Sequence, residues 1–205
     1  MSEEPRVAAH VRIYLGVRQD ILRNAIKPET ILSENELASE YGTSRTPVRE
    51  ALARLRHEGF VALTPRKGNV VTRPSMREIL EGYYLRSILE GAACELAAAR
   101  QTDEAMRQLE ECLSPASDTE VGPLNRTFHT LVARMSGNEK LESAISQILD
   151  ELERAIFLDP AMWTTALLGE HRRIVEALRS RDGPRARAEM TRHVDASKGR
   201  ILGRV

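Results

Sequence analysis

The sequence predicts a mainly α-helical protein, with an N-terminal winged helix-turn-helix followed by a C-terminal all-α antiparallel helical bundle. Three observations lead there. Between residues 33 and 72 a short capped helix, a tight turn, a second helix and a basic hairpin follow one another. Beyond Pro74 the apolar periodicity is helical almost to the end. At 205 residues the chain exceeds the roughly 100 to 150 residues usual for one domain. Two domains are expected, 1–74 and 75–205, with Pro65 to Ser75 as the join.

From Val7 to about Ala25, the apolar residues Val7, Val11, Leu15, Ile21 and Leu22 recur at near-helical intervals, and Pro28 is the expected stop. Ser33 and Glu36 have the spacing of a capping box. Leu37, Ala38 and Tyr41 give the short helix its buried face, and Gly42 closes it. Thr43 or Ser44 caps the next helix, with Pro47 in its first turn, where a missing N–H is harmless. Val48, Ala51, Leu52 and Leu55 form its inward side, leaving Arg45, Thr46, Arg49, Glu50 and Arg56 largely on the other. Gly59 ends it. Phe60–Leu63 and Asn69–Thr72 then read as two strands around Pro65-Arg66-Lys67-Gly68. Further helices are expected near 76–99, 103–113, 123–136, 139–157, 161–180 and 184–202, separated at 118–123, Gly137-Asn138, Asp159-Pro160 and Asp182-Gly183-Pro184.

Composition narrows the function classes. Hydrophobic and charged contents of 41% and 29% are those of an ordinary globular protein and argue against global disorder. The 30 basic and 30 acidic residues cancel, but through Ser75 there are 12 basic against 9 acidic, and afterwards 18 against 21. The front part leans basic, in the direction expected of a nucleic-acid partner. Cys94 and Cys112 form no CxxC pair, so two free thiols are expected rather than a disulfide framework or a thiolate zinc site. No signal-like segment opens the chain, and no apolar stretch approaches the roughly 18 residues that span a bilayer. A cytoplasmic protein without a membrane partner is expected.

A helix entering the major groove needs side chains that reach phosphates and base edges, and arginine does both. Arg45 and Arg49 stand one turn apart on the polar side, Thr46 adds a hydroxyl, and Ser44 lies at the helix start, where free N–H groups suit a phosphate oxygen. Arg66 and Lys67 at the hairpin tip could reach an adjacent groove. Two arginines alone would more often be a solvated helix face; the order of the surrounding elements favours DNA. The run LSENELASEYGTSRTPVREALARLRHEGFVALTPRKGNVV closely resembles the DNA-binding domain of GntR-type regulators. That resemblance implies that Ser44, Arg45, Thr46 and Arg49 contact double-stranded operator DNA, with Asn35 and Arg66, Lys67 and Gly68 as lesser contacts. A single winged helix makes few base contacts, so a homodimer on a palindromic operator is expected.

His129, His171 and His193 lie in the second half. Three imidazoles and one oxygen donor would make a site for zinc or nickel with room for an exogenous ligand. Asn125 and His129 share a helix face, and His171 and His193 sit on the last two helices. Taken singly, each histidine is more often a satisfied core or surface residue. The segments LRSILEGAACELAA, LNRTFHTLVARMSGN, GEHRRIVEALRSRD and ARAEMTRHV resemble the ligand-sensing FCD-type domain of the FadR-like branch of the same family. The resemblance implies a divalent cation held by Asn125, His129, His171 and His193, without an organic cofactor, and a small organic-acid effector. Asn125 stands where Asp is the more frequent choice. Arg86, with Glu90 one turn on, is the matching effector-binding pair; an i, i+4 salt bridge on a helix surface is the equal alternative. The resemblance thus implies a transcriptional repressor relieved by its ligand. A metal-responsive regulator is the nearest alternative. A metal-dependent hydrolase is a more distant one, since no HExxH, GxSxG or P-loop is present and no paired carboxylates near the histidines are legible.

Overall fold

The computed structural model describes residues 8–117, 120–156 and 166–203. The chain divides between Pro74 and Ser75 into two compact units, with residues 153–158 grouping with the first. The first contains α1 (Ala9–Leu22), β1 (Ile31–Leu32), α2 (Glu34–Glu40), α3 (Arg45–His57), β2 (Val61–Thr64) and β3 (Gly68–Val71). The second contains α4 (Met76–Arg100), α5 (Asp103–Glu111), α6 (Val121–Met135), α7 (Glu139–Ile156) as far as Leu152, α8 (Ala166–Arg179) and α9 (Gly183–Leu202). Among the described residues no helix is long and apolar enough to cross a membrane.

In the first unit α1 lies against α3 and both close over one core. Ile13, Tyr14, Val17 and Ile21 of α1 meet Val48, Ala51, Leu52 and Leu55 of α3, with Phe60, Val61 and Val71 from the hairpin. The inward side of α3 is the expected one. That of α1 is rotated from expectation, because Leu15 is 52% exposed while Ile13 and Tyr14 are buried. The helix also stops before Pro28: Asn24 takes a left-handed φ of 57°, which ends the helical run at Leu22. Val7, its expected start, lies outside the described residues.

The Ser33 hydroxyl accepts from the Glu36 N–H, so the hydroxyl half of the expected capping box is present. A complete box, with both halves made, stands at Ser75 and Glu78 and starts α4. Gly42, at φ 61°, makes the turn between α2 and α3, a conformation that costs an L side chain energy. Three strands pair antiparallel in the order β1-β3-β2. Val61 faces Val71 and Thr64 faces Gly68 across the hairpin, while Ile31 and Leu32 face Val70 and Asn69. Arg66 at the hairpin tip has a φ of 66°.

Every regular element described in the second unit is a helix, with α4 packed most extensively on α9 and also on α6 and α8. Close approach depends on small side chains. A Cβ on Gly91 would stand 2.9 Å from Thr191 Oγ1, tighter than packing allows. Ala93 and Ala133 meet Ile145 and Leu149, seating α7 against α4 and α6. The expected break at Asp159-Pro160 and helix start at 161 lie outside the described residues. Cys94 and Cys112 are both free and buried.

Leu52 is fully buried between the helices of the first unit. Leu52→Ala is expected to destabilise that unit by about 2 to 5 kcal/mol, read as a lower urea midpoint of unfolding with an unchanged slope.

Candidate functional site

Two sites are built, one in each unit. In the first, Ser44 is the N-cap of α3 but makes no capping hydrogen bond with its own side chain. Its hydroxyl and the opening N–H groups of the helix are therefore disposed toward an anion. Ser44, Arg45, Thr46 and Arg49 are all exposed along the first turns, and the Arg45 and Arg49 side chains are 54% and 59% exposed. Asn35 on α2 is exposed, as are Arg66 and Lys67, with Gly68 half-buried beside them. Arg56 donates to Asn69 Oδ1 at 2.6 Å, tying the far end of α3 to β3.

The sequence reading passed over Glu34. Its Oε2 accepts from Arg45 Nη2 at 2.9 Å and from Arg49 Nε at 2.8 Å. Hydrogen bonds from Arg49 and then Arg45 hold the Glu34 carboxyl below the usual carboxylate range. No spacing rule links residue 34 to residues 45 and 49; the helix-turn-helix angle brings them together.

In the second unit α6, α8 and α9 each deliver one buried histidine, and the ligand atoms of His129, His171 and His193 all lie within 4.8 Å of one another. His193 Nε2 is 3.2 Å from His129 Nε2 and 3.3 Å from His171 Nε2. Phe128 stacks flat on the His171 ring at 4.0 Å and fixes its plane. Asn125 stands one turn before His129 on α6 and is half-buried.

Carboxylates set the tautomers. His193 Nδ1 faces Glu170 Oε2 at 2.7 Å, and Arg200 grips the same Glu170 through both terminal nitrogens at 2.8 and 3.0 Å. His129 Nδ1 lies 2.5 Å from Glu90 Oε2, close but not aligned as a linear hydrogen bond, and neither atom has another hydrogen-bond partner. Each carboxylate demands a proton on the Nδ1 it faces, which leaves both Nε2 atoms as lone pairs. Arg86 answers one of them, its Nη2 standing 3.3 Å from His129 Nε2. The same guanidinium donates from Nε to Glu90 Oε1 at 2.5 Å.

Arg86 and Glu90 are only 3% and 1% exposed, so they form no surface pair on a helix. Sequence reading also missed Glu170 and Arg200. The signal available was Glu170 beside His171, with Arg200 two turns after His193.

Burial drives the protonation of the cluster. It pushes His193 down to about 4, against the pull of Glu170, and pushes His171 well below its ordinary value with help from His193 and His129. His129 is lowered by burial, in spite of Glu90. Glu170 falls to about 2; burial opposes this, but His193 and Arg200 together outweigh it. The three imidazoles are thus neutral in the fold, with convergent nitrogens. Such a donor set suits a borderline cation, and about 2.0 to 2.1 Å from a tetrahedral zinc its nitrogens would be roughly 3.3 Å apart.

Residues 9–71 match the family "Bacterial regulatory proteins, gntR family", and residues 81–196 match the FCD domain. A regulator described only as HTH-type, from an unstable DNA locus of Streptomyces ambofaciens, is 30% identical over 90% of this chain and 81% of its own length. The HTH-type transcriptional repressor RspR of Escherichia coli K12 is 29% identical over 93% of this chain and 87% of its own. Among solved structures, E. coli McbR/YncC superposes with a TM-score of 0.80 at 21% identity, covering 97% of this chain and 99% of that one. A GntR regulator from Rhodococcus sp. RHA1 gives 0.79 at 23%, covering 95% and 97%. These two likenesses establish the fold.

The unfolded chain binds protons on His193 near its ordinary value of 6.5, whereas the folded chain refuses them until about 4. The contribution of His193 to stability is therefore full above about pH 6.5 and lost as pH falls from there toward 4. Metal-free protein should show a thermal midpoint that declines from pH 6.5 to 4, and the decline should be shallower in His193→Gln.

Proposed function

Since the chain belongs to the GntR family of bacterial regulatory proteins and carries an FCD domain, we propose that it is a cytoplasmic repressor that binds a palindromic operator as a homodimer and responds to an organic acid. The acid binds together with a divalent cation, zinc or nickel, at His129, His171 and His193. Family membership sets aside the hydrolase alternative.

The observation that carries the sensing half is the convergence of three buried imidazole nitrogens: His193 Nε2 lies 3.2 Å from His129 Nε2 and 3.3 Å from His171 Nε2. A cation at their meeting point would be coordinated by all three imidazoles. Asn125 is assigned as the fourth protein ligand on the family resemblance and its place one turn before His129.

Charge supports an acidic effector. Arg86 is matched by Glu90 and Arg200 by Glu170, while the neutral histidines contribute nothing, so the buried centre is balanced as it stands. A bound divalent cation would leave two positive charges uncompensated in a buried setting, and Asn125, being neutral, offsets neither. An incoming carboxylate would. Arg86, already beside His129, is placed to meet such an anion once a metal takes the lone pair it now answers. The cation supplies Lewis acidity toward the carboxylate oxygen, and these residues supply position and charge.

The dimer reading is supported by α4, which leaves Tyr84 (65% exposed), Leu85, Ile88 (44% exposed) and Leu96 uncovered along its length. Large apolar side chains gathered on one helix are unusual on a monomer's surface. Effector binding then acts as a population shift, favouring one arrangement of the two DNA-binding units.

Chelator-treated protein given zinc at about 100 times its Kd should gain about 2.7 kcal/mol of stability. His171→Ala should gain none. Operator affinity is then titrated with metal alone and with carboxylic acids at fixed metal. A response to acid only with metal present supports the proposal; a full response to metal alone favours the metal-responsive regulator, and no response to either refutes both. Separately, Ile88→Glu should shift the mass read by light scattering toward the monomer and weaken operator binding while leaving the helical content intact.

A further inference from the structure

Glu34 is an anion on a surface made to meet a polyanion. A carboxylate there opposes phosphate, and exposed ion pairs of this kind add little to stability. Its geometry gives it another use. One oxygen, Oε2, serves both arginines in the first turns of α3, Arg45 and Arg49, across 11 and 15 residues of sequence.

The two arginines are gripped by different edges. Arg49 is held through Nε alone, at 2.8 Å, so its terminal pair of amino groups, the fork that matches guanine O6 and N7, is not used by the carboxylate. Arg45 is held through Nε at 3.3 Å and Nη2 at 2.9 Å, along the edge opposite its Nη1 amino group, which the carboxylate does not use and which suits phosphate. A free arginine side chain explores many rotamers, and fixing it beforehand removes an ordering cost from the bound state.

We propose that Glu34 is a positioning residue that sets sequence specificity: it presents the Arg49 fork to base edges and the Arg45 amino group to the backbone. This rests on the DNA-binding reading above. Its signature is a split between specific and non-specific affinity. Removing Glu34 frees the arginines to meet phosphate anywhere, so binding to arbitrary duplex is kept or strengthened while discrimination is lost.

The test begins by selecting a duplex from a random-sequence library with the full-length wild-type protein. Affinities for the selected duplex and for a scrambled duplex of equal length and composition are then read by fluorescence anisotropy at several salt concentrations. In Glu34→Ala the ratio of the two affinities should fall about tenfold or more, with scrambled binding undiminished. Glu34→Gln, which keeps an acceptor, should lose less of the ratio. In an Arg45→Ala/Arg49→Ala background, Glu34→Ala should leave the ratio unchanged. The proposal is overturned if Glu34→Ala changes both affinities by the same factor, as a pure charge effect or a damaged fold would; circular-dichroism melts tell those two apart. A wild type that selects no sequence defeats the DNA-binding reading itself and this proposal with it.

Discussion

A chain of polar side chains threads the helical unit from Arg86 to Glu90, His129, His193, Glu170 and Arg200, and it can exist there only because each charge meets its opposite. An isolated ion inside a protein costs several kcal/mol, so loss of one member would leave its neighbour unpaired and strongly disfavoured. That constraint fixes rotamers on α4, α6, α8 and α9 together. It also requires the helices to come close, which the small residues of α4 permit, Gly91 against Thr191 among them. Packing and polar order are thus one problem with one solution, and the convergence of three histidine nitrogens is its by-product.

Much of the fold was legible because its signals are local. The inward side of α3, the turn at Gly42 and the hairpin around Arg66 and Lys67 each rest on residues close together in the chain. What escaped depends on distant partners. β1 is two residues long, too short for any alternation, and exists because Ile31 and Leu32 pair with β3. The rotation of α1 was misread for a similar reason: Leu15 fits a helical repeat as well as Ile13 does, and only the position of α3 decides which is covered.

The sites divide along the same line. The exposed arginines and the three histidines are readable because their residue types are distinctive and the family likeness fixes their positions. The groups that orient them were not. Glu34, Glu170 and Arg200 are ordinary charged residues on amphipathic helices, and sequence alone places such residues in solvent. Arg86 and Glu90 show the limit plainly, since the spacing of a surface salt bridge is also the spacing of a buried one. Burial, which separates the two, is a property of the assembled helices.

The hairpin tip has a consequence for variation at one position. Arg66 sits at a φ of 66°, where an L residue other than glycine or asparagine carries roughly 1 to 2 kcal/mol of steric cost. Glycine would relax that turn but would surrender the cation. Thermal robustness and the positive charge of the tip therefore pull in opposite directions at residue 66, and gaining one sacrifices the other unless the charge is restored elsewhere on the loop.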